Sequence, residues 1–152
     1  MKSVVFCSSQ RFKRELADFT DKLKNLAKEK NLHITILEPN FGEDEDHLCK
    51  LSEKERMLDA NYRTSVAGKV YDHLFRKVKV ADVCFIFNKD GYMGANTNGE
   101  LFAAAISGKL IYALEDVVFM GDHPHNLYEE PSSRKLIHEI VSTPEALLDR
   151  LI

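Results

Sequence analysis

One segment of the sequence combines side chains that could act on a sugar derivative. It reads NKDGYMGANTNGE, residues 88–100, and its glycines would let a ligand approach the backbone closely. The pattern predicts a helix that begins at Thr97, and the first turn of a helix offers free N–H groups to a ligand. Glu100 would lie in that turn. A carboxylate there could attack the anomeric carbon of a sugar while a base departs, which would give a covalent glycosyl intermediate.

The same spacing also has a purely structural explanation. Thr97 and Glu100 stand at the separation of a capping box, in which the glutamate side chain accepts a hydrogen bond from the backbone at the helix start. A glutamate in that role would have no chemistry to perform. Spacing alone therefore leaves both roles open for Glu100.

Other residues of this loop are candidate ligand contacts. Each also has a simpler explanation, because an Asp-Gly pair can form a turn, a tyrosine can cover the core, and an asparagine can hydrogen-bond a neighbouring loop. The predicted substrate-binding residues of this segment are Asn88, Asp90, Gly91, Tyr92, Gly94, Asn96 and Thr97.

A second loop, CSSQRF at residues 7–12, follows the first apolar run of the chain. Its hydroxyls, backbone N–H groups and guanidinium could hold a phosphate or a sugar hydroxyl, so Ser8, Ser9, Arg11 and Phe12 are predicted contacts. Alternatively, Ser9 caps the next helix and Arg11 is exposed to solvent. Flavin-binding loops are also rich in hydroxyls, but the sequence identifies no aromatic residues that would stack on a flavin. We therefore predict no cofactor.

The segment Asp122-His123-Pro124-His125 contains metal-binding residue types. Pro124 interrupts it, and no further ligands stand at the spacing of a tetrahedral site. We therefore predict no metal.

Apolar runs and helical periodicity indicate the elements that must position these loops. The predicted strands are residues 4–7, 32–37, 81–87, 110–114 and 137–141. The predicted helices are residues 11–30, 52–78 with a break near Gly68, 97–107, and a terminal helix that follows Thr143 and Pro144. Residues 43–47 and 116–131 are predicted loops. This alternation of strands and helices is typical of a parallel sheet, in which ligands bind beyond the carboxyl ends of the strands.

Length and composition limit the possible classes of protein. A chain of 152 residues suits one domain, and 44% apolar with 30% charged residues is typical of a soluble globular protein. A net charge of -3 gives no basic surface, so we expect no nucleic acid polymer as partner. No apolar run approaches the ~18 residues of a membrane span, and the first run reads as a strand, not a signal peptide. Cys7, Cys49 and Cys84 are widely spaced, which favours reduced thiols and a cytoplasmic location.

Two stretches of the chain resemble one family. DGYMGANTNGE followed by LFAAAISGKLIYAL resembles the segment of nucleoside 2-deoxyribosyltransferase-like proteins in which a glycine-rich loop precedes a helix glutamate. VVFCSSQRFKRELADFTDKL is similar to the first strand, loop and helix of that group, which includes 2'-deoxynucleoside 5'-phosphate N-hydrolase-like proteins. The resemblance covers about residues 3–30 and 70–114.

The resemblance implies a flavodoxin-like three-layer α/β fold for a single domain of residues 1–152, and a homodimer or higher homo-oligomer. It also implies cleavage or transfer at the N-glycosidic bond of a small-molecule nucleoside or nucleotide, with Glu100 as the nucleophile. Fold membership alone does not establish an activity. The alternative is a nucleotide-binding or regulatory module that keeps the cleft without turnover.

A second catalytic group is less well defined by the resemblance. Family members share a second carboxylate before the central strand, and here Asp72 lies nearby at a different spacing, with His73 beside it. Either residue could orient the sugar or protonate the leaving base, so both are candidate catalytic residues. Both could instead be polar positions on the solvent side of a helix. A partner that faces Glu100 across the cleft would favour the enzyme over the binding module.

Overall fold

The computed structural model describes residues 1–41 and 51–152. A five-stranded parallel sheet occupies its centre, in the order β2-β1-β3-β4-β7. Its strands are β1 (Val4–Cys7), β2 (Ile36–Leu37), β3 (Val83–Ile86), β4 (Leu110–Ala113) and β7 (Glu139–Ile140). Two further strands, β5 (Phe119–Asp122) and β6 (Asn126–Glu129), form a separate antiparallel hairpin.

Helices cover both faces of the sheet. They are α1 (Lys13–Glu29), α2 (Glu53–Arg56), α3 (Ala60–His73), α4 (Ala95–Ile106), α5 (Pro131–Lys135) and α6 (Pro144–Leu151). Side chains of α1 and α6 pack on one face against Val4 and Phe6, and side chains of α4 pack on the other face against Val5 and Cys7. Both faces of β1 and β3 are buried, which explains why these strands are almost entirely apolar in sequence.

The predicted three-layer α/β fold is confirmed. Counted within the main sheet, the strand order is 2-1-3-4-5, the order of flavodoxin-like proteins. In this order the chain leaves β1 and β3 towards opposite faces, and ligands bind in the crevice between their carboxyl ends. The two loops that carry the predicted site residues follow these two strands.

The helix before β3 differs from its prediction. Ser52 and Glu55 do form a capping box, with the Glu55 N–H 3.2 Å from the Ser52 Oγ, but α2 ends at Arg56. Asp59 then caps α3 by accepting a hydrogen bond from the Tyr62 N–H at 2.8 Å. The predicted break near Gly68 is wrong, because an exposed glycine weakens a helix without ending it. A π-helical turn at Leu74–Val78 continues directly from α3.

The prediction of a loop at residues 116–131 is also wrong. The segment forms the β5–β6 hairpin and the start of α5, and the Met93 N–H donates a hydrogen bond to the Phe119 carbonyl. Gly121 has φ +122, and a Cβ at this position would collide with the Asn126 carbonyl. Glycine here therefore permits the close pairing of the two strands, although its presence in the sequence favoured a loop.

The remaining predicted strands and helices within the described residues are present in the structure, but their lengths differ from the predictions. Only Ile36–Leu37 of the predicted strand 32–37 joins the sheet, and the last strand is limited to Glu139–Ile140. Thr143 caps α6 as predicted, by accepting from the Ala146 N–H at 3.2 Å. The predicted acidic loop at residues 43–47 lies outside the described residues. Within residues 1–41 and 51–152, none of the helices has the length and apolar character to cross a membrane.

Candidate functional site

A pocket of about 130 Å³ lies at the carboxyl ends of β1 and β3, where the strand order predicts a ligand site. In the same measure a single water needs roughly 10–15 Å³, so the pocket has room for a much larger molecule. Its walls come from the loop after β1, from α2 and α3, and from the first turns of α4. The lining includes Ser8, Ser9, Phe41, Arg56, Met57, Tyr62, Val66, Lys69, Val70, His73, Gly94, Asn96, Thr97 and Glu100.

Glu100 lines this pocket from the second turn of α4. The helix begins at Ala95, with Gly94 as its N-cap, so Glu100 is its sixth residue and not part of the first turn as predicted. The helix therefore starts too early for Thr97 to be an N-cap, and the predicted capping box does not form around Glu100. The carboxyl group is instead directed towards α3, with 9% of the side chain exposed.

His73 is the partner of Glu100 across the pocket. Its Nε2 atom lies 3.5 Å from Oε2 of Glu100, and the imidazole is as deeply buried as the carboxyl group. The same Nε2 atom lies 3.6 Å from Sγ of Cys7, the last residue of β1. Cys7 in turn lies 3.7 Å from Sγ of Cys84 on the neighbouring strand. The carboxyl, imidazole and thiol groups thus meet where a strand and two helices converge.

Burial controls the protonation of these groups. Removal from water raises the pKa of Glu100 to about 7, an effect that a hydrogen bond from Cys7 partly offsets. Burial, reinforced by the positive charge of Lys77, lowers the pKa of His73 to about 4. Burial also raises the pKa of the Cys7 thiol well above its ordinary value. At neutral pH, His73 is therefore uncharged and Glu100 is divided between acid and carboxylate.

Asp72, the other candidate for the second catalytic group, does not line the pocket. Its carboxylate lies 3.0 Å from Nε of Arg76 on the outer side of the helix, and 46% of its side chain is exposed. Successive residues of an α-helix point about 100° apart, which is why neighbours in sequence face different surroundings. The structure brings His73 to Glu100 and leaves Asp72 outside the pocket.

The loop after β1 divides between the pocket and the core. Ser8 and Ser9 line the pocket, and the Ser9 Oγ also accepts a hydrogen bond from the Arg11 N–H at 3.3 Å. Arg11 donates from Nη2 to the Leu51 carbonyl at 2.7 Å, outside the pocket lining. Phe12 is buried in the core, with its ring 6.1 Å from that of Tyr92. Ser9 therefore caps a short 3-10 turn, Gln10–Phe12, that precedes α1, while it also faces the pocket. The alternative of a cap on the first long helix with an exposed Arg11 is wrong, because α1 has Phe12 at its N-cap and Arg11 is partly buried.

In the loop after β3, the residues nearest the strand are structural. The Asn88 amide is fully buried and holds the backbone of residues 114–117 through four hydrogen bonds. Asp90 is exposed with φ +56. Gly91 has φ +82, and a Cβ there would lie 2.8 Å from the Phe119 ring. Tyr92 is buried between Phe12 and a histidine of the hairpin. Of the predicted binding residues in this loop, Gly94, Asn96 and Thr97 line the pocket with Glu100.

The segment 122–125 does not gather metal ligands. His123 packs against the Tyr92 ring, with the ring centroids 4.7 Å apart, and Asp122 belongs to β5. Within the described part of the chain, the group of three or more potential metal ligands that lie together is Cys7, His73 and Glu100. Sequence spacing gave no sign of this group, because its members come from three distant elements.

Sequence reasoning missed one wall of the pocket. Tyr62, Val66 and Val70 belong to the apolar residues at helical spacing that predicted the helix 52–78, but they line the pocket instead of a closed core. With Lys69 and His73 they form one face of α3. Arg56 of α2 also lines the pocket, only 1% exposed, with its guanidinium 5.8 Å from the centre of the Tyr62 ring. The sequence feature that could have indicated this wall is the presence of Lys69 and His73 among apolar residues at helical spacing.

Comparisons with known proteins give information on the fold of this chain. No protein-family model matches the chain, and no curated protein matches it in sequence. Its structural neighbours include a 2-deoxyribosyltransferase from the psychrotolerant bacterium Bacillus psychrosaccharolyticus, at 17% identity and a TM-score of 0.48, with 97% of this chain and 91% of that chain covered. A conserved protein from Enterococcus faecalis V583 is also 17% identical, with a TM-score of 0.53 and coverage of 99% and 97%. The second likeness supports the fold alone, and one fold can host many functions.

Proposed function

We propose that this chain cleaves or transfers the N-glycosidic bond of a (deoxy)nucleoside or nucleotide, with Glu100 as the nucleophile. The observation that carries the proposal is the position of the Glu100 carboxyl group, on the wall of a pocket and beside His73. A glutamate that only stabilised its helix would lie against the backbone of the first turn. The resemblance of residues 90–114 to nucleoside 2-deoxyribosyltransferase-like proteins adds independent support.

The composition of the pocket suits a nucleoside. Ser8, Ser9, Asn96 and Thr97 supply polar groups that can hydrogen-bond the hydroxyls of a pentose. An apolar group of lining residues can cover the faces of a planar base. That group consists of Phe41, Met57, Tyr62 and Val66. A pocket with a few polar groups among apolar ones is the usual form of a small-molecule site.

The reaction has two displacements. In the first, a Glu100 oxygen bonds to C1′ of the sugar, the C1′–N bond breaks, and its electron pair leaves with the base, which takes up a proton from solvent. In the second, the oxygen of water or the nitrogen of another base bonds to C1′ and gives its proton to solvent, while the C1′–O bond to Glu100 breaks and its electron pair returns to the carboxylate. Water gives hydrolysis and a second base gives transfer.

His73 acts as a positioning residue in this scheme. Its lowered pKa keeps it uncharged at neutral pH, so it is a poor proton donor for the leaving base. The 3.5 Å contact instead fixes the orientation of the Glu100 carboxyl group. Holding a reacting atom in place is itself a large catalytic effect.

The test is an assay for released base. The protein is incubated with deoxynucleosides and with their 5′-monophosphates, each with and without a free acceptor base. We expect base release or exchange that Glu100→Gln reduces by about 10³-fold or more, with the fold retained. Asp72→Asn is the matched control, because Asp72 lies outside the pocket and its loss should leave turnover intact.

The binding-module alternative predicts a different result. A nucleotide would then raise the melting temperature of the protein, but no base would be released under any of the four conditions. That outcome would contradict the enzymatic proposal.

The proposal includes a homo-oligomer. Four large apolar side chains are exposed on the π-helical turn, the end of α3 and the outer face of α4. They are Tyr71, Phe75, Phe102 and Ile106. A surface of this kind is typical of a subunit interface. Sedimentation equilibrium would show a monomer if this part of the proposal is wrong.

A further inference from the structure

Three potential metal ligands lie together beside the pocket. The Nε2 atom of His73 is 3.6 Å from Sγ of Cys7 and 3.5 Å from Oε2 of Glu100, and the three atoms all lie within 4.8 Å of one another. From this geometry we infer that Cys7, His73 and Glu100 form a Zn²⁺ site whose occupation stops the reaction at Glu100. The second half of this inference rests on the proposed function.

The distances fit zinc coordination. Zinc binds thiolate sulfur at about 2.3 Å, and imidazole nitrogen and carboxylate oxygen at about 2.0–2.2 Å. In a tetrahedron these bond lengths place neighbouring ligand atoms about 3.3–3.6 Å apart. The two contacts of His73, at 3.6 and 3.5 Å, already match that separation. The Cys7 and Glu100 atoms lie within 4.8 Å of each other and would approach to the same separation around the ion.

The chemistry of the three donors selects the metal. A sulfur, a nitrogen and an oxygen ligand suit zinc, whereas Mg²⁺ and Ca²⁺ prefer oxygen ligands alone. Three protein ligands with an open fourth position are the usual form of an accessible zinc site. Here His73 and Glu100 line the pocket, so an ion can reach them and a water molecule can complete the tetrahedron.

Binding would change the state of two groups. The ion displaces the proton of the Cys7 thiol, and that proton goes to solvent. The ion also engages an oxygen of Glu100, so the lone pair that would attack C1′ is no longer available. Turnover needs a Glu100 carboxylate that is not bound to metal. Zinc therefore stops turnover, and a chelator that removes the zinc restores it.

The binding test does not depend on turnover. Metal-free protein is titrated with Zn²⁺ by calorimetry in the presence of a competing chelator, and with Co²⁺ as a spectroscopic probe. We expect one tight site per chain and a cobalt absorption band that arises from thiolate ligation. Cys7→Ala should lose the cobalt band and weaken zinc binding by more than about 100-fold. Loss of a group that only orients a metal ligand weakens binding by about 10- to 100-fold, so the larger effect identifies a direct ligand.

Cys84→Ala is the matched control. Cys84 is equally buried and lies next to Cys7, but it is not one of the three ligands. We expect it to keep both the band and the affinity. Circular dichroism of each variant shows whether its fold is retained. The cobalt band of the wild-type protein is a check that needs no substitution. A wild-type protein without the band, or a folded Cys7→Ala with unchanged zinc affinity, would overturn the inference.

The activity test separates this inference from the proposed function. Base release is measured on metal-free protein, on the same protein with one equivalent of Zn²⁺, and after addition of a chelator. Loss and recovery of activity are expected. Absence of base release from metal-free protein would refute the proposed function and leave the zinc titration to be judged separately. Full activity in zinc-loaded protein would overturn the inhibitory role.

Discussion

The imidazole of His73 and the carboxyl group of Glu100 face each other at 3.5 Å, although one ends α3 and the other lies in the second turn of α4. Both groups are largely withdrawn from water, and each responds by favouring its uncharged form. Near neutral pH Glu100 is therefore divided between acid and carboxylate, while His73 is uncharged.

His73→Asn should lower kcat by about 10²-fold with little change in KM, because the carboxyl group loses the contact that orients it. Steady-state kinetics would measure this effect. If His73 served folding alone, the substitution would change the thermal midpoint and leave the pH dependence of activity unchanged. If His73 orients Glu100, the substitution should also shift that pH dependence. Asp72→Asn is again the control, and an equal loss of kcat in that variant would contradict the assignment.

The activity of metal-free protein should increase with pH through about 7. Glu100 must be ionised to attack C1′, and burial holds its pKa near that value. Below pH 7, kcat/KM should therefore fall about tenfold for each pH unit, and above it should level off. The measurement is kcat/KM between pH 5 and 9 with a substrate that does not titrate in this range. A constant rate down to pH 5 would exclude a buried glutamate as the group that must ionise.

The stability of the protein should also depend on these two groups, with opposite signs. The pKa of Glu100 is raised from 4.5 to about 7, so its contribution to stability is fully present below pH 4.5 and is lost as the pH rises through 7. The pKa of His73 is lowered from 6.5 to about 4, so its contribution is present above pH 6.5 and is lost as the pH falls through 4.

Urea unfolding at pH 5 and pH 8 would measure the Glu100 effect. Relative to wild type, Glu100→Gln should gain up to about 3 kcal/mol of stability between these two pH values, because the glutamine cannot ionise. His73→Asn tests the histidine effect at acidic pH. In this variant the loss of stability that His73 causes below pH 6.5 should be absent. Parallel stability curves for wild type and Glu100→Gln would show that the carboxyl group has an ordinary pKa.

Asn88→Ala should destabilise the fold by about 3 kcal/mol. The buried amide donates to the carbonyls of Glu115 and Val117 at 3.2 and 2.9 Å, and its oxygen accepts from the N–H groups of Leu114 and Glu115. Alanine would leave these groups unpaired. Chemical denaturation would measure the loss, and Asn25→Ala, at an exposed position of α1, should change stability by less than about 0.5 kcal/mol. Unchanged stability in Asn88→Ala would return this residue to the set of candidate ligand contacts.

The sheet could be predicted because its strands carry a strong signal. β1, β3 and β4 are buried on both faces, so each appears in the sequence as a short continuous apolar run. The β5–β6 hairpin has a much weaker pattern, since its residues are half-buried or exposed, and its Gly and Pro residues favoured a loop. Local composition therefore identified the centre of the fold and failed at its periphery.

The site could be predicted only in part. Glu100 stood out through its loop and through a family resemblance, but the start of α4 decided its surroundings, and helix boundaries are poorly defined by sequence. The choice between Asp72 and His73 depended on the rotational phase of α3, which the apolar stripe did not fix. Contacts between β1, α3 and α4 are distant in sequence, so no spacing rule could bring Cys7, His73 and Glu100 together.

Cys7 ends β1, and its side chain packs in the apolar interior while it also contacts His73 beside the pocket. One side chain therefore serves both the packing of the sheet and the surroundings of His73 and Glu100. Variants selected for heat resistance through changes at this position are therefore expected to alter turnover as well. Substrate specificity is less constrained by folding at the face of α3 that lines the pocket, because Val66 and Val70 can be exchanged without disturbing the sheet.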